Sequence, residues 1–127
     1  MGSIQSHRDL NVWQKGMDLA EEAYRLARIL PRTEEYRLTA QLLRAAASVP
    51  ANIAEGHARG TRKDYANFVS VARGSLAETE TFLLLAVRTG LLQEDQAARA
   101  LSLTSELGKM LTVLRQRLLD QGTVGRE

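Results

Sequence analysis

One stretch constrains this chain more than any other: Gln41 to Gly56, reading Q-L-L-R-A-A-A-S-V-P-A-N-I-A-E-G. Set on a helix, Leu38, Leu42, Ala45, Val49 and Ile53 recur at three and four residues and form a smooth apolar stripe. Gln41, Arg44, Ser48, Asn52 and Glu55 recur at the same spacing and form a polar stripe beside it. A solvent face would more naturally carry Lys and Glu around Ala. This one carries short groups of defined hydrogen-bond geometry, with one Arg and one Glu. Pro50 falls in the middle, where it lacks the N–H that would bond Ala46 and presses on that carbonyl. The apolar phase nevertheless runs unbroken from Leu42 through Ile53. The pattern therefore predicts one long helix kinked at Pro50, not two helices.

A chain of 127 residues fits one domain with a real core. Ala, Leu, Arg and Glu dominate it and only two prolines interrupt it, which points to an all-α protein. The absence of cysteine excludes disulfides and thiolate metal sites and suits a reducing cytoplasm. No apolar run approaches the roughly twenty residues of a membrane span, and Phe82–Val87 falls far short. The N-terminus has no signal-peptide core, and Met1-Gly2-Ser3 reads as an expression remnant. The formal charge is only +2, although the pI of 9.3 reflects the weight of Arg among the bases. That leans toward nucleic acid but stops well short of a basic DNA-binding domain.

Taken in order, residues 1–10 read as an extended lead, 11–121 as four helices and 122–127 as a disordered tail. The first helix is expected from Asn11 to Leu30, with Trp13, Met17, Ala20, Tyr24 and Ala27 as its seam and Lys15, Glu21, Glu22, Arg25 and Arg28 mostly off it. Pro31 stops it. Thr33, followed by Glu34 and Glu35, reads as the N-cap of the second helix, which runs to about Glu55. Thr61-Arg62-Lys63-Asp64 fits a capping box opening the third. Its stripe is Tyr65, Phe68, Ala72, Leu76, Thr79, Leu83 and Ala86, and Gly90 is its C-terminal stop. The fourth starts near Gln93, carries Ala97, Leu101, Thr104, Leu107, Leu111, Leu114 and Leu118, and stops before Gly122. Long helices with short connections make an antiparallel up-down-up-down four-helix bundle.

One excess remains. Phe82 to Val87 is apolar all round the helix, more than a single subunit's stripe can use. Phe82, Leu84, Leu85 and Val87 are therefore the expected oligomer interface, the alternative being a wide core at that end of the bundle.

The polar stripe also needs partners. With the turn centred near Arg59, Glu78 comes within about one turn of Arg44. The expected network pairs Arg44 with Glu78, with Gln41, Ser48 and Ser75 satisfying the remaining donors and acceptors in a semi-buried seam where Gly74 allows close approach. Asn52 would bond backbone freed at Pro50, and Glu55 would reach Arg62 or Lys63. The alternative is a solvated polar face.

The basic candidate is the turn carrying His57, Arg59, Arg62 and Lys63, with Arg73 one face away and only Asp64 and Glu55 opposing locally. Phosphate contacts from such a patch would be sequence-independent and steeply lost with salt. Ordinary exposed-turn chemistry, which favours charged residues, explains the same residues and is the stronger of the two readings. Tyr36 and Tyr65 are the aromatics placed to stack single-stranded bases, although core or subunit packing accounts for both, and Trp13 reads as core. Catalysis finds no footing. His7 and His57 lack carboxylates at ligand spacing, no Glu-x-x-His pair exists, Gly56–Thr61 lacks the phosphate-loop spacing, and neither Ser48 nor Ser75 has a base beside it. The expectation is a non-enzyme with no metal and no cofactor.

Several strings then appear in order: Leu10-x-Val12-Trp13-Gln14-Lys15, Pro31-x-x-Glu34-x-Tyr36-x-Leu38, Gln41-x-x-Arg44-Ala45-Ala46, Ser48-Val49-Pro50-x-Asn52-Ile53-Ala54-Glu55-Gly56, and Ala72-x-Gly74-Ser75-Leu76-x-Glu78. Together they resemble the bacterial four-helix-bundle proteins encoded in intervening sequences of 23S ribosomal RNA genes, over about residues 9–118. Gly16, Ala47 and Thr79 depart from the Ala, Ser and Leu usual there. The resemblance implies a homopentamer of antiparallel bundles with no known enzyme activity. It extends to the accessory variability determinant of diversity-generating retroelements, which partners a reverse transcriptase and binds nucleic acid through a basic surface. In such a ring the basic turn would repeat around the axis and strengthen its field. Two function classes follow: a nucleic-acid-associated oligomer, with RNA or single-stranded nucleic acid as partner, or a scaffold that binds a protein partner without a nucleic-acid role.

Overall fold

The computed structural model describes residues 3–124. Four α-helices follow one another: α1 (Asn11–Ala27), α2 (Leu38–His57), α3 (Arg62–Arg88) and α4 (Glu94–Val124). Cross-helix pairs show how they run. Lys15 meets Glu106 and Glu22 meets Arg99, so residue numbers rise on α1 as they fall on α4. Arg44–Glu78 and Ser48–Ser75 do the same for α2 and α3, and Arg115 reaches back to Ser70 from α4. The chain is an antiparallel four-helix bundle, with no strand among the described residues.

The lead is not extended throughout. Ser6 caps a single 3-10 turn, His7–Asp9, taking the Arg8 N–H on its Oγ while Asp9 Oδ2 accepts from Gln5 and Ser6 N–H groups. The Gln14 side-chain amide then ties this turn to α1 by donating to the Arg8 carbonyl at 2.8 Å. The reading of Met1-Gly2 as remnant, and of 125–127 as tail, falls outside the described residues.

α1 departs from expectation in phase and length. Its buried face is Val12, Gly16, Leu19, Ala23 and Leu26, one residue away from the expected seam. Met17 and Tyr24 are exposed, and Trp13, Ala20 and Ala27 lie on the flank. Two apolar stripes of equal period sit side by side here, and the partner helix selects between them. Gly16 lies flat against Pro50, where a Cβ would stand 3.4 Å from the proline Cβ. Only the Val12 stripe can meet α2 this closely. Glu22, expected mostly off the seam, is buried at 7% exposure. Arg25 donates to it through Nε at 3.1 Å and through Nη2, while Arg99 of α4 approaches its other oxygen at 3.7 Å. α1 ends at Ala27 and not at Leu30, because the chain tightens into turns in which Ile29 N–H bonds Leu26.

Thr33 caps nothing. It lies inside a second 3-10 turn, Arg32–Glu34, and α2 begins five residues later with Arg37 as an N-cap that makes no side-chain bond. Glu34 covers the α2 end instead, its Oε1 accepting the Leu38 N–H at 3.4 Å. α2 then continues through Pro50 as one helix. All five residues of its expected apolar stripe are buried, with Ala46, Pro50 and Gly56 beside them.

α3 opens on Thr61, whose Oγ1 accepts the Asp64 N–H at 3.1 Å. It ends on a Schellman motif at Gly90, where φ is +80°. Leu91 N–H returns to the Ala86 carbonyl at 2.9 Å and Gly90 N–H to Val87 at 3.1 Å. Ala72, Leu76, Thr79, Leu83 and Ala86 are buried as the stripe requires; Tyr65 and Phe68 are half-buried, and Ala66, Val69 and Ser75 complete the face. α4 does not stop before Gly122 but runs to Val124. A glycine weakens a helix by about 1 kcal/mol without ending it unless φ turns positive. Among the described residues only Gly90 does so.

Candidate nucleic-acid interface

The hairpin joining α2 to α3 is held from inside by its aromatic residues. Gly56 sits where a Cβ would stand 2.9 Å from both Phe68 Cβ and Tyr65 Cδ1, so the two helices close on each other at the missing side chain. The His57 ring meets Tyr65 edge-on at 5.8 Å, and burial pushes the Tyr65 phenol above its ordinary range. Arg59 lies over the Phe68 ring at 4.7 Å and pairs with Glu55 at 3.3 Å. Two members of the basic candidate, His57 and Arg59, therefore serve as packing for the hairpin. Glu55 pairs with Arg59 one turn on, in place of the expected Arg62 or Lys63.

Arg62 and Lys63 are different. Both are exposed on the first turn of α3, and no carboxylate stands within ion-pair distance of either among the described residues. The amide end of the helix adds positive potential behind them. Arg73 lies roughly three turns farther on, which brings it back to the side of α3 that carries Arg62. It borders an open groove of about 740 Å³ between α3 and α4, with Lys109 and Glu80 also on its wall. The antiparallel register brings further cations to this end. Arg115 lies against Ser70, its Nε donating to Oγ at 2.6 Å, and Lys109 and Arg117 line the next groove of the same face, alongside Leu10 and Asn11. These α4 residues escape motif reading because no local pattern marks them. Folding α4 back on α3 about the turn at Gly90 would have found them.

The polar seam is real as a set of bonds but divides in two. Ser48 and Ser75 share a hydrogen bond at 2.8 Å between the helices, and Asn52 Nδ2 donates to both the Ser48 hydroxyl and its carbonyl at 2.8 Å. Asn52 thus bonds the carbonyl of Ser48 and not that of Ala46, which Pro50 leaves free of its helical partner. Farther up, Gln41 accepts from Arg44 at 2.9 Å, and Arg44 stands 3.9 Å from Glu78, both more than half exposed. A pair in that setting contributes at most about 1 kcal/mol. The register centres near Thr61, not Arg59, which sets Glu78 level with Arg44, and both side chains lie on the exposed side of the seam. Gly74 opens no close approach, since a Cβ there would meet nothing within 4 Å.

The apolar run on α3 also divides. Leu83 and Ala86 are fully buried, and Phe82 and Val87 are half-buried against the bundle's own core. Leu84 and Leu85 stand in solvent at 44% and 47% exposure. Among the described residues no helix is long and apolar enough to cross a membrane, and no three His, Asp or Glu side chains gather as metal ligands would.

Comparison with known proteins fits this frame. None of the curated proteins compared matches the chain. The crystal structure of a protein of unknown function from the S23 ribosomal protein family of Bacteroides thetaiotaomicron VPI-5482 has the same fold, with a TM-score of 0.77 at 28% identity. The match covers 82% of this chain and 97% of that one. The model of the 23S rRNA-intervening sequence protein family matches residues 8–113, from the 3-10 turn of the lead to the middle of α4. With that span covering the hairpin, the seam and most of the core, the chain belongs to the 23S rRNA-intervening sequence protein family.

Proposed function

We propose that this protein is a non-enzymatic, self-associating bundle of the cytoplasm whose basic end holds nucleic-acid phosphates, RNA foremost. The observation that carries the reading is the gathering of exposed cations without carboxylate partners at one end of the molecule. Arg62 and Lys63 of α3 stand there with Arg117 of α4, and Arg73 and Lys109 continue the set toward the middle of the bundle. Arg59 and His57 support them by fixing the hairpin. Such a surface recognises backbone charge, not base sequence. Exposed Leu84 and Leu85 support self-association, and a pentamer is what the family resemblance implies; a ring would multiply the field of each basic end.

A mobility shift with RNA and single-stranded DNA across a salt series tests the nucleic-acid part. Binding should weaken steeply with salt, and Arg62→Ala with Lys63→Ala should shallow the slope by about one ion per lost contact. No shift at low salt would leave the scaffold reading, a ring that binds a protein partner, in its place.

A further inference from the structure

The ring most open to solvent in this protein belongs to Tyr36, at 88% exposure, in the turn between the second 3-10 segment and α2. It fills no gap in the core. Tyr24, on the outer side of α1, is 55% exposed and stands one helical turn before Arg28 on the same face. Along the chain Arg28 and Arg32 fall between the two rings and Arg37 follows Tyr36; all three are exposed, with no carboxylate at ion-pair distance among the described residues. Three acids lie nearby: Glu34 covers the Leu38 N–H, Glu35 interacts with the Tyr36 hydroxyl, and Glu21 shares the groove of Tyr24 and Arg28. This connection lies at the opposite end of the bundle from the α2–α3 hairpin.

Resting on the nucleic-acid reading above, we propose that the α1–α2 connection is a second, base-stacking surface for single-stranded nucleic acid, with Tyr36 and Tyr24 as platforms and Arg28, Arg32 and Arg37 taking phosphates. Exposed rings interleaved with guanidinium groups are what a single strand needs: a π-face for each base and a cation for the intervening phosphate. Tyrosine and arginine also populate protein interfaces, but three guanidinium groups without carboxylate partners favour a polyanion over a second copy of this chain, whose formal charge is +2. Here an arginine stands beside each ring. The hairpin end offers no comparable platform, because Tyr65 is packed inside it and Phe68 lies beneath Arg59. Base-dependent and base-independent binding are thus divided between the two ends.

The test is fluorescence anisotropy at low salt with a labelled oligouridylate and an abasic phosphodiester of equal length. Wild-type protein should bind the oligouridylate more tightly. Tyr36→Ala should weaken it by about tenfold, Tyr36→Phe should keep it, and neither should change binding of the abasic strand. Arg62→Ala with Lys63→Ala should weaken both strands alike. If wild type binds neither strand, the nucleic-acid reading itself fails and this surface with it. If Tyr36→Ala binds the oligouridylate as wild type does, only the stacking surface is overturned. It is overturned equally if light scattering shows Tyr36→Ala lowering the assembly mass, for the ring then belongs to a subunit contact.

Discussion

Glu22 shows what a single residue can carry in this bundle. It is the one buried carboxylate among the described residues, and it ties α1 to α4 through Arg25 and Arg99. The hydrogen bond from Arg25 holds its carboxyl below the usual range, burial opposes this, and the charges of Arg25 and Arg99 assist. Because the folded value is depressed, the clasp contributes fully above the unfolded value of about 4.5 and is lost as pH falls through the folded value. Glu22→Gln keeps the shape and removes the charge. It should cost about 2 kcal/mol in urea unfolding at pH 7, and the gap to wild type should close in acid, as pH falls below the unfolded value and through the lowered folded one. A gap of the same size at pH 7 and in acid would mean that shape, not charge, holds the two helices there. The sequence hid this role because Glu22 sits among Glu21, Arg25 and Arg28, in a run that reads as solvated surface. Only the one-residue difference in α1 phase reveals it.

At the scale of the element, legibility followed the number of independent signals. α2 was readable because its stripe, its proline and its polar seam agree on one phase, and α3 because Thr61 and Gly90 mark both ends. α1 was not. Its two parallel stripes, beginning at Val12 and Trp13, are equally regular, and the larger side chains favour the wrong one. What selects is Gly16 against Pro50, a contact between helices that no period within α1 records. Glycines in general cannot be read alone. Gly56 and Gly74 both lie inside family-like strings, yet one is enclosed by Phe68 and Tyr65 and the other faces open space. Gly56→Ala should therefore destabilise by about 1–3 kcal/mol as the hairpin is forced apart. Gly74→Ala should stabilise by about 1 kcal/mol through helix propensity alone. Denaturant midpoints at constant slope would compare them directly. A destabilised Gly74→Ala would show that something outside the single chain presses on that helix.

For the whole molecule, the bundle itself was the easy part, since stripe period and short connections leave few other arrangements. The assembly is harder, because a single chain leaves more than one apolar area uncovered: Leu84 and Leu85 on α3, and Met17 and Tyr24 on α1. Leu84 and Leu85 are the stronger candidates for a subunit contact. They are adjacent aliphatic residues on one helix, with Glu94 and Asp95 at the edge of the Leu84 groove, while Met17 and Tyr24 share theirs with Glu21, Arg25 and Arg28, three charges that an apolar interface core would have to desolvate. Covering the exposed half of each leucine would contribute about 1 kcal/mol per side chain, and a closed ring repeats that contribution at every interface. Light scattering on wild type should give a multiple of the 14.1 kDa chain. Leu84→Ser with Leu85→Ser should reduce it to the single-chain mass while circular dichroism keeps its helical signal, because the fully buried Leu83 and Ala86 stay in place. A wild-type mass of one chain would end the self-association reading. An unchanged multiple in the double variant would move the interface to α1, where Tyr24→Ala is the next substitution to weigh.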